Sequence, residues 1–181
     1  MRVALDTNVL IVLLNRGHNS LRNPADNSIV DRVYDRAQRL IDDIDRQKGV
    51  ILIPSPVLAE LFVKYSKPER EVIERVLAEA DIFEIVNFDT LAAMECANLV
   101  NDKELRELEK LERINPHAIK TKIQVDRQIL AICQARNCNH IISHDKGLLS
   151  KAREIGMSAK SLADFDPVPE QVKMELLVKD V

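Results

Sequence analysis

The sequence predicts an α/β fold, a three-layer α/β/α sandwich with a central, mainly parallel sheet. Short, continuous apolar runs recur along the chain, and such runs are typical of strands buried on both faces of a parallel sheet. Longer segments with apolar residues at helical spacing lie between them. Strands that alternate with helices favour a parallel sheet that is covered by helices on both faces.

Five segments have the length and boundaries of strands. Each is a short apolar run that stops at polar or turn-forming residues. The first run stops at Asp6, and the fourth stops at His144 and Asp145. The predicted strands cover 3–5, 50–53, 82–86, 140–143 and part of 159–165.

Helices are predicted between these strands from apolar spacing and from end signals. The longest amphipathic segment before the second strand runs from 25 to 48, and Gly49 ends it. Asp89 or Thr90 suits the cap of a later helix. The predicted helices cover 9–14, 25–48, the segments that follow Ser55 and Pro68, a long segment from 90, 123–136 and 151–155.

The totals indicate a single globular domain. A chain of 181 residues buries roughly 70% of its unfolded surface, so we expect one domain over 1–165 and a tail over 166–181. No apolar run reaches the roughly 18 residues of a membrane span. Asp6 and Asn8 interrupt the apolar stretch that a signal peptide would need at this position. Together with three cysteines in no disulfide pattern, this predicts a cytoplasmic protein. Because the formal net charge is -3, any surface that binds nucleic acid must be a local basic patch.

Four acidic residues lie at positions where they could have a role other than that of a solvated surface charge. Asp6 ends the first predicted strand, and Asp145 holds the same kind of position after the fourth. Asp126 shares a helix face with the apolar Ile129, although it could also be the N-cap of a helix that starts there. Glu60 borders an apolar helix face and, taken alone, could be a solvated helix residue.

A parallel sheet would bring these carboxylates to one edge, because the carboxyl ends of its strands meet there. Neighbouring carboxylates repel one another unless a cation neutralises them, and oxygen ligands favour Mg²⁺, with Mn²⁺ as a substitute. Such an ion can activate a water and offset charge on a phosphate, which suits metal-assisted phosphodiester hydrolysis. Thr7, Asn8 and Ser143 would orient ligands or hold waters.

Four motifs that contain these residues resemble the PIN-domain ribonucleases, and particularly the toxins of the VapBC type. They are LDTNVL at 5–10, SPVLAEL at 55–61, DRQILA at 126–131 and IISHDKGL at 141–148. The resemblance implies that the catalytic and metal-binding set is Asp6, Glu60, Asp126 and Asp145, supported by Asn8 and Ser143. It covers about 1–165.

The resemblance also implies a function and partners. It implies an Mg²⁺-dependent endoribonuclease that acts on single-stranded or structured RNA. In toxin members, dimers are inhibited by a cognate antitoxin whose tail fills the acidic groove. Ser143 stands where Thr is common and keeps the hydroxyl. The chain is longer than the compact toxins, because it adds the segment 25–48, a charged arm at 103–113 and the tail. An RNA-processing PIN nuclease without an antitoxin is therefore an alternative.

Two further interpretations stay open from the residues alone. Lys122, Arg127 and Lys146 are candidate RNA contacts, although each could be an ordinary surface charge. A noncatalytic α/β interaction module would use the acids as caps and ion-pair partners, with 103–113 as its partner surface. Such a module should not respond to metal, whereas a nuclease should.

A zinc site is a weaker hypothesis. Cys133, Cys138, His140 and His144 lie within twelve positions of one another. Their spacing matches no common zinc finger or ribbon, and Cys133 shares an apolar helix face, where a free cysteine behaves as a small hydrophobic residue.

Overall fold

The computed structural model describes residues 1–17, 20–99 and 118–168, with side chains from 125 onward in the last of these ranges. The charged arm predicted at 103–113 and the tail beyond 168 lie outside the described residues. Within those ranges, none of the helices is both long enough and apolar enough to cross a bilayer.

A five-stranded sheet forms the centre of the fold, and all of its described pairings are parallel. The strand order is β3-β2-β1-β4-β5. In register, Ala4 of the central strand lies between Leu52 and Ile141. The strands are β1 (Arg2–Leu5), β2 (Val50–Pro54), β3 (Phe83–Val86), β4 (His140–Ile142) and β5 (Ser158–Lys160).

Helices connect the strands and cover both faces of the sheet, as predicted for an α/β/α sandwich. Because parallel crossovers are right-handed, the helices after β1 and β2 pack on one face and those after β3 and β4 on the other. A short 3₁₀ helix, Leu162–Asp164, follows β5. The described helices are α1 (Thr7–Leu14), α2 (Val33–Arg46), α3 (Ser55–Val63), α4 (Lys67–Glu79), α5 (Thr90–Asn98), α6 (Ala118–Ala135) and α7 (Lys146–Glu154).

The core lies on both faces of the central strands. Leu5, Leu52 and Ile141 are completely buried. Burial on both faces explains why consecutive positions of these strands are apolar, apart from Arg2 and His140 at the starts of β1 and β4. Each buried apolar side chain stabilises the fold by roughly 1.5–3 kcal/mol relative to an exposed one. The polar residues at the ends of β1 and β4 therefore differ from the apolar core around them and need a separate explanation.

The predicted helix at 25–48 is wrong over its first eight residues, because α2 begins at Val33. Asn27 and Arg32 have φ values of 63° and 49°, which is the left-handed region and interrupts a helix. Ile29, which helical spacing would place on an apolar face, is 69% exposed and forms a short antiparallel bridge with Arg22. The segment is a turn that precedes a shorter helix.

The other differences lie at the ends of elements. The helix predicted at 123–136 begins at Ala118, and the one predicted to include 151–155 begins at Lys146. Asp89 caps α5 by accepting a hydrogen bond from the Ala92 amide, as predicted. The order and type of the predicted elements agree with the structure in the described ranges.

Candidate active site

The carboxyl ends of β1 and β4 form the edge where polar residues gather. From β1 the chain crosses toward β2, whereas from β4 it crosses the opposite way toward β5. This reversal of strand order is the kind of crevice where ligands bind in open α/β sheets. Asp6 follows β1 directly, and Asp145 lies three residues after the end of β4.

Asp6 is a buried carboxylate at the centre of this edge, with 6% of its surface exposed. It is the N-cap of α1, and its Oδ1 accepts a hydrogen bond from the Thr7 amide at 2.7 Å. Its Oδ2 accepts from Asn8 Nδ2 at 2.8 Å and from Ser143 Oγ at 2.5 Å. Three residues, Thr7 and Asn8 after β1 and Ser143 after β4, thus fix the Asp6 carboxylate.

The charge on Asp6 is nevertheless unfavourable in the protein alone. Burial raises its pKa above the ordinary value of 3.8, and the hydrogen bonds from Ser143 and Thr7 only partly oppose this. The negative charges of Glu60 and Asp145 raise the pKa further. A bound cation would favour the ionised form at this position.

Asp145 is held by the start of the helix that follows it. Its Oδ1 accepts hydrogen bonds from the Gly147 and Leu148 amides at 2.8 and 3.1 Å, as an N-cap of α7. The Asp145 amide donates to Ser143 Oγ at 2.9 Å, so the Ser143 hydroxyl touches both acidic segments. The supporting role of Ser143 stays a prediction, and its hydroxyl has hydrogen-bond partners in both segments.

Asn8 joins the same two segments through its side-chain amide. Its Nδ2 donates to Asp6, and its Oδ1 accepts from the His144 amide at 3.1 Å. An amide side chain suits this position because it donates on one side and accepts on the other. Asn8 therefore fixes the spacing between the end of β1 and the loop after β4.

Thr7 orients the third acid. Its Oγ1 donates to Glu60 Oε2 at 2.8 Å, and Thr7 itself is 2% exposed. The Glu60 side chain is 53% exposed, and Lys64 Nζ lies 3.8 Å from its Oε1. Glu60 is therefore neither buried nor simply solvated, because one carboxylate oxygen is directed by a buried hydroxyl.

Asp126 lies well inside α6, so the interpretation of this residue as an N-cap is wrong. The helix begins at Ala118, and Asp126 is half-buried on it. Ile129, one turn farther along, is buried at 2% exposure. An acid inside this apolar stripe faces the same space as the other three acids.

All four predicted acids line one cavity of about 850 Å³, the acidic cavity. Its lining contains Asp6, Glu60, Asp126 and Asp145 together with Thr7, Asn8, Ser55, Lys64 and Gln128, and the apolar Pro56, Ala59, Val63, Phe88, Val125 and Ile129. In the described ranges, no three acidic, His or Cys side chains are arranged closely enough to hold a metal ion as they stand. The donor set still fits a hard cation, since it consists of carboxylate, hydroxyl and amide oxygens.

The predicted RNA contacts fall in different places. Arg127 is 8% exposed and is not among the residues that line the acidic cavity. Lys146 is exposed at the start of α7, next to Asp145, and lines a separate cavity of about 230 Å³. Of Lys122 only the helical backbone is described. Lys64, at the C-terminal end of α3, is a cation that lines the acidic cavity.

The structure gives no support to a zinc site. Cys133 and Cys138 are buried free thiols, and their mutual hydrogen bond, with burial, raises the pKa of Cys133 well above its ordinary value. Both ring nitrogens of His144 are engaged, since Nδ1 bonds to the Arg22 carbonyl at 2.9 Å and Nε2 accepts from the Leu162 amide at 3.1 Å. His144 is therefore a structural link.

Sequence reasoning missed Phe88 and Gln128 as residues of this cavity. Gln128 lies two positions after Asp126, but helical spacing gave no reason to select it. Phe88 directly precedes the N-cap Asp89 after β3. An aromatic residue at the carboxyl end of a parallel strand was the available signal, because that end of the sheet holds the site.

Comparison with known proteins identifies the family. The PIN domain family matches residues 3–154. The chain belongs to the PIN domain family. PIN domains are generally nucleases that use divalent metal ions, and the four acids of this PIN domain lie within the matched range.

A solved structure supports the same fold. A chain in the crystal structure of VapBC2 from Rickettsia felis, bound to a DNA fragment from their promoter, superposes with a TM-score of 0.53 at 19% identity. The superposition covers 92% of this chain and 100% of that chain. At this identity the likeness concerns the fold. No curated protein matches the sequence.

Proposed function

We propose that this PIN domain is an Mg²⁺-dependent endoribonuclease and that it is the toxin of a VapBC-like toxin-antitoxin pair. The observation that carries the nuclease proposal is the acidic cavity, where Asp6, Glu60, Asp126 and Asp145 line one space. The burial of Asp6 adds weight, because an acid with a raised pKa in a cluster of acids is a candidate for a functional site.

The four acids would hold Mg²⁺, or Mn²⁺ in its place, through carboxylate oxygens. Bound there, the ion would lower the pKa of an attacking water and offset charge on the phosphate. Ser143 and Asn8 keep the Asp6 oxygens in a fixed direction, and Thr7 does the same for Glu60. Lys64 is placed to attract a phosphate toward the cavity, because it lies at its rim beside Glu60.

The choice of RNA rests on the resemblance of the four motifs. Lys122, Arg127 and Lys146 stay candidate contacts, with the Arg127 side chain only 8% exposed and outside the lining of the acidic cavity. The antitoxin is supported by the shared fold of the VapBC2 neighbour. A homodimer is supported by the exposed apolar side chains between 72 and 94 that do not line the acidic cavity. These are Val72, Val76, Ile85, Leu91 and Met94.

The proposal also includes the cellular location of the protein and the extent of its nuclease domain. We propose a cytoplasmic protein, because Cys96, Cys133 and Cys138 are all free thiols. We propose that the nuclease domain covers 1–165, since Phe165 still contacts the core. An RNA-processing PIN nuclease without an antitoxin uses the same cavity, and only the partner distinguishes it.

The experiment combines metal-dependent stability with RNA cleavage. Millimolar Mg²⁺ or Mn²⁺ should raise the Tm and allow cleavage of single-stranded RNA, and EDTA should abolish both effects. An ion at 100 times its Kd stabilises by about 2.7 kcal/mol. Asp126→Asn should lose both responses, whereas Glu74→Gln, an exposed acid on α4, should keep them. A wild-type protein with no metal response would instead indicate the noncatalytic module.

The partner is tested separately. Expression of the chain alone should arrest growth of a bacterial host, and co-expression of the neighbouring reading frame should restore it. Growth arrest that Asp126→Asn abolishes but no neighbouring frame relieves would favour the RNA-processing alternative. Light scattering of the purified chain would test the dimer.

A further inference from the structure

Phe88 differs from every other aromatic side chain of the protein. The chain contains four Phe, two Tyr and no Trp, and all six aromatic residues are in the described ranges. Five of them pack against the hydrophobic core, namely Tyr34, Phe62, Tyr65, Phe83 and Phe165. Phe88 is 36% exposed and lines the acidic cavity. A large apolar ring in a cavity of acids has no role in the proposed hydrolysis itself.

The loop that carries Phe88 is held from both sides. Its amide donates to Ser55 Oγ at 3.2 Å, which ties it to the start of α3. The next residue, Asp89, caps α5 and forms an ion pair with Arg136 at the end of α6. The backbone of Phe88 is therefore fixed before any ligand arrives, so little entropy is lost when its ring is covered.

The residues that line the cavity belong to two chemically different sets. One set is the four carboxylates, and the other is apolar and includes Phe88, Val63 and Ile129. The cavity volume of about 850 Å³ lies at the upper end of the roughly 300–1,000 Å³ that small-molecule sites occupy. A phosphate and its metal ion would engage the carboxylates, which leaves the apolar lining residues for another piece of the same substrate.

We propose that the Phe88 ring is a stacking surface for the nucleobase next to the phosphate that the acids engage. This inference rests on the proposed nuclease function and adds a base-binding subsite to it. A nucleotide has two parts that match these two sets of residues, a charged phosphate at one end and the flat face of the base at the other. Stacking needs a base that is free of its neighbours, so the subsite selects unpaired strands.

The ligand class also predicts a preference among bases. Purines offer a larger face than pyrimidines, and stacking on an aromatic side chain tolerates any base but follows its area. We therefore expect AMP to bind more tightly than UMP, and UMP more tightly than ribose 5-phosphate, which has no base. These probes contain no phosphodiester bond, so binding is measured at equilibrium with Mg²⁺ present.

The absence of tryptophan from the sequence allows a direct optical test. Phe88→Trp introduces a single tryptophan at the proposed subsite and keeps an aromatic face. Its emission should be quenched by AMP in a saturable way, more weakly by UMP, and not by ribose 5-phosphate. Leu91→Trp is the matched control, because Leu91 is 46% exposed on α5 and is not among the residues that line the cavity. Its emission should not change.

Affinity measurements on Phe88→Ala complete the test. The variant should bind AMP roughly 5- to 100-fold more weakly and should bind ribose 5-phosphate as the wild type does. Unquenched Phe88→Trp emission, or unchanged AMP affinity in Phe88→Ala, would overturn the subsite if ribose 5-phosphate still binds. That result would be expected if Phe88 instead contacts a protein partner. Failure of the wild type to bind either Mg²⁺ or ribose 5-phosphate would overturn the nuclease proposal, and this inference with it.

Discussion

Ser143 Oγ lies 2.5 Å from Asp6 Oδ2, although the two residues are 137 positions apart in the chain. The same hydroxyl accepts a hydrogen bond from the Asp145 amide. One completely buried side chain thus links the ends of two neighbouring strands and contacts the segments of two proposed metal ligands. The geometry of the acidic edge therefore depends on this hydroxyl.

Removal of this hydroxyl should weaken both stability and metal binding. Ser143→Ala leaves the buried Asp6 carboxylate and the Asp145 amide short of a partner, which should cost about 1–3 kcal/mol in urea unfolding. Metal affinity should fall about 10- to 100-fold, as for other residues that orient metal ligands. Ser143→Thr keeps the hydroxyl and is the control. Calorimetric Mg²⁺ affinity that equals the wild type in Ser143→Ala would contradict this role.

Thr7 allows a test in which stability and activity separate. Thr7→Val keeps the shape of the side chain but removes the hydrogen bond to Glu60. Because the Glu60 side chain is half exposed, water can replace that bond, and the unfolding free energy should change by less than about 1 kcal/mol. RNA cleavage should fall about tenfold or more as Glu60 loses its orientation.

The control for Thr7 is the conservative variant. Thr7→Ser keeps the donor and should retain most of the cleavage rate. A Thr7→Val protein that is strongly destabilised, yet fully active when folded, would show that Thr7 serves the core and not Glu60.

Asp89 predicts a specific part of the response to acid. The hydrogen bond from the Ala92 amide, and then that from Arg136, lower the pKa of Asp89 below its ordinary value of 3.8. A lowered pKa means that the folded state favours the charged form, so the contribution to stability is present above pH 3.8 and is lost as the pH falls through the lowered value.

Acid unfolding monitored by circular dichroism checks this sign. Asp89→Asn keeps a capping side chain but cannot titrate, so the variant should lose less stability than the wild type as the pH falls below about 4. Asp81→Asn, at an exposed turn before β3, should follow the wild type. An identical acid response of Asp89→Asn and wild type would show that the cap and the ion pair contribute nothing.

Arg127 predicts a gain in stability on substitution. It is 92% buried, and its Nε and Nη2 have no hydrogen-bond partner within the part of the chain that the structure describes. A buried, unsatisfied donor costs about 1–3 kcal/mol, so Arg127→Met should raise the unfolding free energy by a similar amount. Lys151→Met, on the half-buried side of α7, is the comparison. A loss of stability in Arg127→Met would mean that the guanidinium has a stabilising role.

The positions of three acids were predictable because their causes are local. Asp6 and Asp145 end apolar runs, and the parallel topology that those runs imply brings strand ends to a common edge. Asp126 was predictable from helical spacing, since the apolar Ile129 lies on the same face. The type and order of the described elements followed from the same two periodicities.

Other features depend on contacts that the sequence does not display. The start of α2 was misplaced because the left-handed conformations of Asn27 and Arg32 leave the spacing of apolar residues unchanged. Phe88 was missed because its exposure is decided by what fails to pack against it, which is a property of the assembled fold. Lys64 has no sequence signal that sets it apart from the other lysines, and its place beside the acids follows only from the cavity.

The engagement of both His144 ring nitrogens has a chemical consequence. An imidazole whose Nε2 lone pair is occupied by the Leu162 amide is a poor nucleophile, so acylation by diethyl pyrocarbonate requires that this bond opens first. The rate of acylation would then report how often the chain around the acidic edge separates from the segment after β5. His144 thus offers a natural reporter of local opening that needs no engineered residue.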